Sequence, residues 1–140
     1  MFKQGHVLSD SGGGLCLIAT NLYQLFLHSG CTILERHNHS IDAYGDERFY
    51  SLGEDAAIAY TTKDLVIRNP FAQPLLLKLS LGNHSIHSEL LGRGTRPIQT
   101  IVQSVVLERQ PPLKGQQHPG WSVSTSRFTK KQSDQNWQQD

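Results

Sequence analysis

Helical spacing appears in one stretch of this 140-residue chain, and that fact limits the fold most. Leu15, Ile18, Ala19, Leu22, Leu25 and Phe26 recur three and four residues apart, which marks one face of an α-helix. Ser29-Gly30 supplies its C-terminal stop. After it the apolar pattern is short and β-branched or alternating. Cys31 to Arg36 reads as a strand, as do Ala57 to Thr62 and Leu65 to Arg68, with Thr62-Lys63-Asp64 as a tight turn between the last two. Gln73 to Leu81 carries Leu75, Leu77, Leu79 and Leu81 on one face, and His84 to Leu91 and Ile98 to Glu108 follow. The expected fold is α+β, one N-terminal helix packed on an antiparallel or mixed sheet of about five strands.

One domain fits this length. From Pro111 to Asp140 the chain is rich in Gln, Ser, Lys and Pro, with scattered Trp121, Val123, Phe128 and Trp137. Such a composition predicts a disordered polar tail over 111–140, leaving residues 1–110 as the folded domain. The formal net charge of +1 gives no steer toward nucleic acid. No signal peptide or membrane span is visible, since the apolar run from Leu22 to Leu27 is short and broken by Gln24. Met1 stands fifteen residues before Cys16, so the chain reads as a fragment or a shortened gene product. The compartment therefore stays open: the cell envelope if export segments lie elsewhere, otherwise the cytoplasm.

Chemistry gathers at two places. Ser11-Gly12-Gly13-Gly14-Leu15-Cys16 is a glycine-rich turn leading into the helix. Glycines let the backbone approach a bound group, and the first helical turn offers unpaired N–H groups to an anion. A cysteine there stands where thiols become nucleophilic, or else it is a buried cysteine after a flexible turn. The second place is Glu35-Arg36-His37-Asn38-His39-Ser40, at the end of the first strand. If that strand runs back along the helix, His37 or His39 returns to the level of Cys16, because about seven extended residues span as much as about fifteen helical ones. Asn38 to Gly53 is a polar loop of a length that is more often functional than idle.

Alternatives stand beside this reading. His37, His39 and Cys16 could ligate zinc, but no CxxC or HExxH spacing supports it and no cofactor is expected. His84 and His87 read as surface histidines, and His28 as a partner for the helix-end carbonyls. A bridge between Cys16 and Cys31 is not expected, since they lie at opposite ends of the helix, about 20 Å apart.

Gly12-Gly13-Gly14-Leu15-Cys16, then Glu35-Arg36-x-x-His39-Ser40, then Asp64-Leu65-x-Ile67-x-Asn69 with Gln73-Pro74 resemble, in order and spacing, the VanW-like family. The resemblance runs from about Gly5 to Leu81. The family is named for an accessory protein of vancomycin-resistance clusters, and many relatives are bacterial envelope proteins. Some members are associated with L,D-transpeptidation of peptidoglycan stem peptides, with the motif's cysteine as nucleophile. The resemblance implies that Cys16 forms a thioester, with His39 as the preferred base and His37 as a second candidate. Backbone N–H groups of Gly13, Gly14 and Leu15 would form an oxyanion site, and Arg36, Ser40 and Arg48 would bind substrate. After the cysteine the family usually reads Gln-(Leu/Val)-Ser, where this chain has Leu17-Ile18-Ala19. The competing reading is a non-catalytic accessory or binding domain that recognises wall peptides or a partner through the 38–53 loop.

Overall fold

The structure is a computed structural model that describes residues 11–39, 51–112, 114, 120–132 and 134–140. Among the described residues one helix, α1 (Ser11–Ser29), is followed by seven strands: β1 (Thr32–Glu35), β2 (Val66–Arg68), β3 (Leu76–Leu81), β4 (Ile86–Leu91), β5 (Ile98–Gln110), β6 (Gly120–Lys131) and β7 (Gln138–Gln139). They form three antiparallel sheets, β1-β2, β3-β4 and β5-β6-β7. The fold is α+β as expected, with more strands and smaller sheets than the sequence suggests.

Helix α1 stops where its sequence says it should. Gly30 has a φ of 86°, its N–H donates to the Leu27 carbonyl at 3.3 Å, and the Cys31 N–H donates to the Phe26 carbonyl at 3.0 Å. This is a Schellman cap, and it leaves the next residues free to enter β1. The buried face of the helix differs from the apolar stripe. Leu17, Ala19, Thr20, Tyr23 and Leu27 are buried, whereas Leu15 is 55% exposed. The stripe misleads because Thr20 and Tyr23 count as polar in a periodicity, yet both find partners inside.

The core is small. Ala19, Tyr23 and Leu27 meet Ala56, with Ile33, Ile58, Leu65 and Val102 packed around them. Strands β1, β4 and β5 all lie against α1. The stretch 57–62, expected as a strand, is irregular: Ala59 and Lys63 form an isolated bridge around a turn in which Thr61 has a φ of 64°. Its neighbours explain this, because the segment from Glu54 to Ile58 bonds to helix side chains and to the chain after β1 rather than to a sheet. Strand β3 carries its leucines exposed on both faces, so their alternation does not mark a core there.

The C-terminal part departs most from expectation. Residues 111–140 are not all a disordered tail, because β6 pairs along β5 from Ile98↔Lys131 to Gln110↔Gly120. Composition hides this strand. Trp121, Val123, Thr125, Phe128 and Thr129 are β-formers diluted by Ser and Lys, and the long partner strand satisfies their backbone groups. Gly53, with a φ of 88°, packs under this hairpin, where a Cβ would overlap Thr125 and Val123.

Candidate functional site

One short segment, Glu54 to Ile58, organises the site. On one side it runs along α1. The Cys16 thiol donates to the Ile58 carbonyl at 3.6 Å, and one helical turn further on the Thr20 hydroxyl donates to the Ala56 carbonyl at 3.1 Å while accepting from the Ala56 N–H at 3.0 Å. At the far end His28 Nε2 pairs with Glu54 Oε1 at 2.8 Å, a carboxylate rather than the helix carbonyls expected. The spacing has a metric reason. Four helical residues rise about 6 Å, and two extended residues cover about 6.6 Å, so residues 16 and 20 match 58 and 56. On its other side the segment meets the chain after β1, where the Ala57 N–H donates to the His37 carbonyl at 2.7 Å.

Asp55, buried in this segment, gathers the basic residues. Its Oδ2 accepts from both the main-chain N–H and Nδ1 of His39, each at 2.7 Å. Its Oδ1 accepts from Arg36 Nη2 at 3.1 Å, and its carbonyl accepts from Arg36 Nε at 2.8 Å. Arg36 Nη2 also donates to the Gly53 carbonyl at 3.2 Å, and the guanidinium lies 4.9 Å from the Tyr23 ring centroid. Burial pushes the Asp55 carboxyl up, but the two His39 hydrogen bonds and the Arg36 and His39 charges outweigh it and hold it below the usual carboxylate range. Burial pushes the Tyr23 hydroxyl up, with Arg36 pulling the other way.

This geometry sets a tautomer. An ionised carboxylate only accepts, so Nδ1 of His39 carries the proton and Nε2 is the basic nitrogen of the neutral ring. The pairing is the one by which a carboxylate orients a histidine base.

The sequence-derived residues divide accordingly. His39 and Arg36 come together through Asp55. Cys16 is half-buried and is anchored on the same segment, at Ile58. His37 points elsewhere, its Nε2 paired with the exposed Glu35 Oε1 at 2.9 Å. That pair, with a hydrogen bond from the Asp64 N–H, holds the Glu35 carboxyl below its ordinary value. Arg36 is committed to Asp55, Gly53 and Tyr23, which argues against its expected role on a substrate carboxylate. Ser40 and Arg48 lie outside the described residues.

The glycine run is helical, not a turn before the helix. Cys16 is the sixth residue of α1, so its N–H and that of Leu15 point back to the carbonyls of Gly12 and Ser11. Gly13, the third residue of α1, falls in the first turn, whose N–H groups a helix leaves unbonded. The expected oxyanion site thus shrinks to Gly13. Both cysteines are free thiols. Among the described residues no three His, Cys, Asp or Glu side chains converge as a metal site, and no helix is long and apolar enough to cross a membrane.

Sequence comparison supports the resemblance independently. The sequence model of the family described as VanW like protein matches residues 1–91, well over half of the chain. The chain belongs to the VanW-like family. Vancomycin B-type resistance protein VanW of Enterococcus faecalis (strain ATCC 700802 / V583) is 33% identical over 66 residues, 46% of this chain. The matched part of this VanW-like chain spans 24% of that relative's length. No solved structure matches it significantly.

Within this VanW-like domain the departures from the family pattern acquire a physical place. Leu17 and Ala19, where the resemblance leads one to expect Gln and Ser, are both buried, at 7% and 4% exposure. Ala19 packs with Ala56 in the core. Asp55 is the site residue that the motif spacing missed. Its signal is the acidic pair Glu54-Asp55 at the end of the polar loop, immediately before Ala56-Ala57-Ile58.

Proposed function

We propose that this VanW-like domain acts at the cell envelope as a cysteine acyltransferase of the L,D-transpeptidase type, working on peptidoglycan stem peptides. Association with vancomycin resistance is part of the same proposal and comes from the name of the Enterococcus relative. One observation carries the mechanism: Cys16 and the Asp55–His39 pair are anchored on the same segment, at Ile58 and Asp55. Three residues of chain reach at most about 10 Å, and this proximity supports reading the two anchors as parts of one site.

In this reading the thiol gives up the Ile58 carbonyl and turns its hydrogen to Nε2 of His39. Sγ attacks the donor carbonyl as the proton passes to His39, which Asp55 stabilises as imidazolium. The leaving amine takes that proton, and a thioester remains on Cys16. An acceptor amine then attacks the thioester, gives its proton to His39 and restores the thiol. In this reading the N–H of Gly13 faces the developing oxyanion.

The test is intact-mass spectrometry of the protein incubated with a stem-peptide donor or a carbapenem. The expected result is an acyl adduct on Cys16 that is absent in Cys16→Ala and strongly slowed in His39→Ala. An unmodified Cys16 in the folded protein sinks the mechanism.

A second reading is favoured by one contact, the thiol hydrogen held by the Ile58 carbonyl. It makes Cys16 a packing residue and the domain a non-catalytic binder of wall peptides or of a protein partner, through the 38–53 loop. Under it, Cys16→Ala keeps binding and biological effect.

A further inference from the structure

We infer a second binding site at the opposite end of α1 from Cys16, one that takes a carboxylate carried on a short apolar group. A cavity of about 190 Å³ lies between the base of the β3-β4 hairpin and the turn that leads into β5, beside Ser29. One wall is apolar, made by Phe71, Leu75 and Leu90. The other is the Gly92–Pro97 turn with Gln73, and its charged members are Arg93 and Arg96. Among the described residues no carboxylate lines the cavity. Two arginines line this cavity beside apolar side chains, with no acid among the described lining residues, and that combination calls for an anion.

The polar wall is built rather than loose. The Gln73 side-chain oxygen accepts the Arg93 main-chain N–H at 3.1 Å, which fixes the turn. Gly92 brings that turn against the Leu75 and Gln73 side chains, and Gly94 closes it with a φ of 74°. Arg96 Nη2 is tied to the His28 carbonyl and, at 3.2 Å, to the Thr100 hydroxyl, so its planar fork is held before any ligand arrives. An arginine has five N–H donors, and these bonds use one nitrogen. Among the described residues the Arg93 guanidinium meets no carboxylate.

Arginine forks match carboxylates in a bidentate way, and fixing one of them beforehand lowers the cost of binding. The volume suits a group the size of one apolar amino-acid residue, so the ligand class is the C-terminal residue of a peptide or a comparable acyl amino acid. The site stands about 20 Å along the helix from Cys16 and does not depend on that thiol's reactivity.

The experiment titrates the ¹⁵N-labelled full chain with N-acetyl-leucine, N-acetyl-leucinamide and inorganic phosphate, followed by NMR. Expected are saturable shifts at the amides of Gly92 to Arg96 with the acid, roughly tenfold weaker binding of the neutral amide, and weaker binding of phosphate. Arg93→Gln should weaken the acid by roughly tenfold while the far-ultraviolet circular dichroism stays unchanged. Equal binding of acid and amide, or no saturable shift, overturns the proposal. Phosphate binding as tightly as the acid removes the apolar wall from it. The acid–amide comparison needs only the unsubstituted protein, so it decides even if a variant fails to fold.

Discussion

Asp55 grips His39 twice with one oxygen: Oδ2 accepts from both the main-chain N–H and the ring Nδ1, each at 2.7 Å. The same carboxylate receives Arg36 on its other oxygen. Asp55→Asn keeps the shape but loses the charge that holds both basic groups. We expect a loss of about 2–4 kcal/mol at neutral pH, measured by chemical denaturation. The pH dependence has a definite sign. The folded carboxyl titrates below its unfolded value of about 3.9, so the stabilisation is complete above that pH and drains away as pH falls through the lower folded value. The melting temperatures of Asp55→Asn and the unsubstituted protein should therefore converge on acidification below about pH 3.9. A gap that persists in acid would mean that the carboxylate charge is not what holds the site.

Thr20 is fully buried, at 0% exposure, and its hydroxyl both donates to and accepts from Ala56. Thr20→Val preserves the volume and strands a buried N–H and a buried carbonyl together. The expected cost is about 2–4 kcal/mol, against about 1 kcal/mol for Thr20→Ser, which keeps the hydroxyl and loses a methyl. Equal costs for the two variants would assign the residue's role to packing alone.

These two residues show what the sequence makes legible and what it does not. The helix, its glycine stop and strand β1 follow from local signals, since Gly30 has the backbone freedom a Schellman cap needs. His39 follows from the motif and the returning strand. Asp55 and Thr20 do not, because their importance lies in pairing across 16 and 36 residues of sequence with partners that no periodicity encodes. Strand β6 escaped for a related reason. Its backbone is satisfied by β5, and a polar composition says nothing about that partner.

Gly30 should tolerate no side chain. Its φ is 86°, and a Cβ would overlap the Ile98 side chain in the core. Gly30→Ala adds left-handed strain to overpacking, for an expected loss of about 2–4 kcal/mol. Thermal unfolding of Gly30→Ala, alone and with Ile98→Val, separates the two contributions. The smaller neighbour should restore the packing part and leave the strain.

The two thiols should differ sharply in reactivity. Cys31 is 1% exposed, and burial pushes its thiol up while the Arg127 charge pulls the other way. Cys16 is half-buried. A maleimide reagent should modify one thiol per native chain and the second only on unfolding, with mass mapping to Cys16 first. Cys16→Ala should then be inert until denatured. Early labelling of Cys31 would show that the end of α1 opens locally.

Arg127 ties β6 to the end of α1. Its Nη1 donates to the carbonyls of Cys31 at 2.7 Å and Leu27 at 3.1 Å, and its Nε donates to Asp140 at 2.8 Å. The two sides of this network lie in different surroundings. The Arg127 side chain is 11% exposed and its carbonyl partners close α1, whereas Asp140 is 41% exposed. Arg127→Met keeps the aliphatic stem and removes every donor, taking the side-chain partner from the Cys31 carbonyl and leaving the Leu27 carbonyl only the Gly30 N–H, and should cost about 2–4 kcal/mol. Asp140→Asn removes one solvent-screened ion pair and should cost less than about 1 kcal/mol. Urea denaturation of both variants checks the ordering. If Asp140→Asn proved as costly as Arg127→Met, the ion pair rather than the helix-end carbonyls would hold the C-terminal hairpin in place.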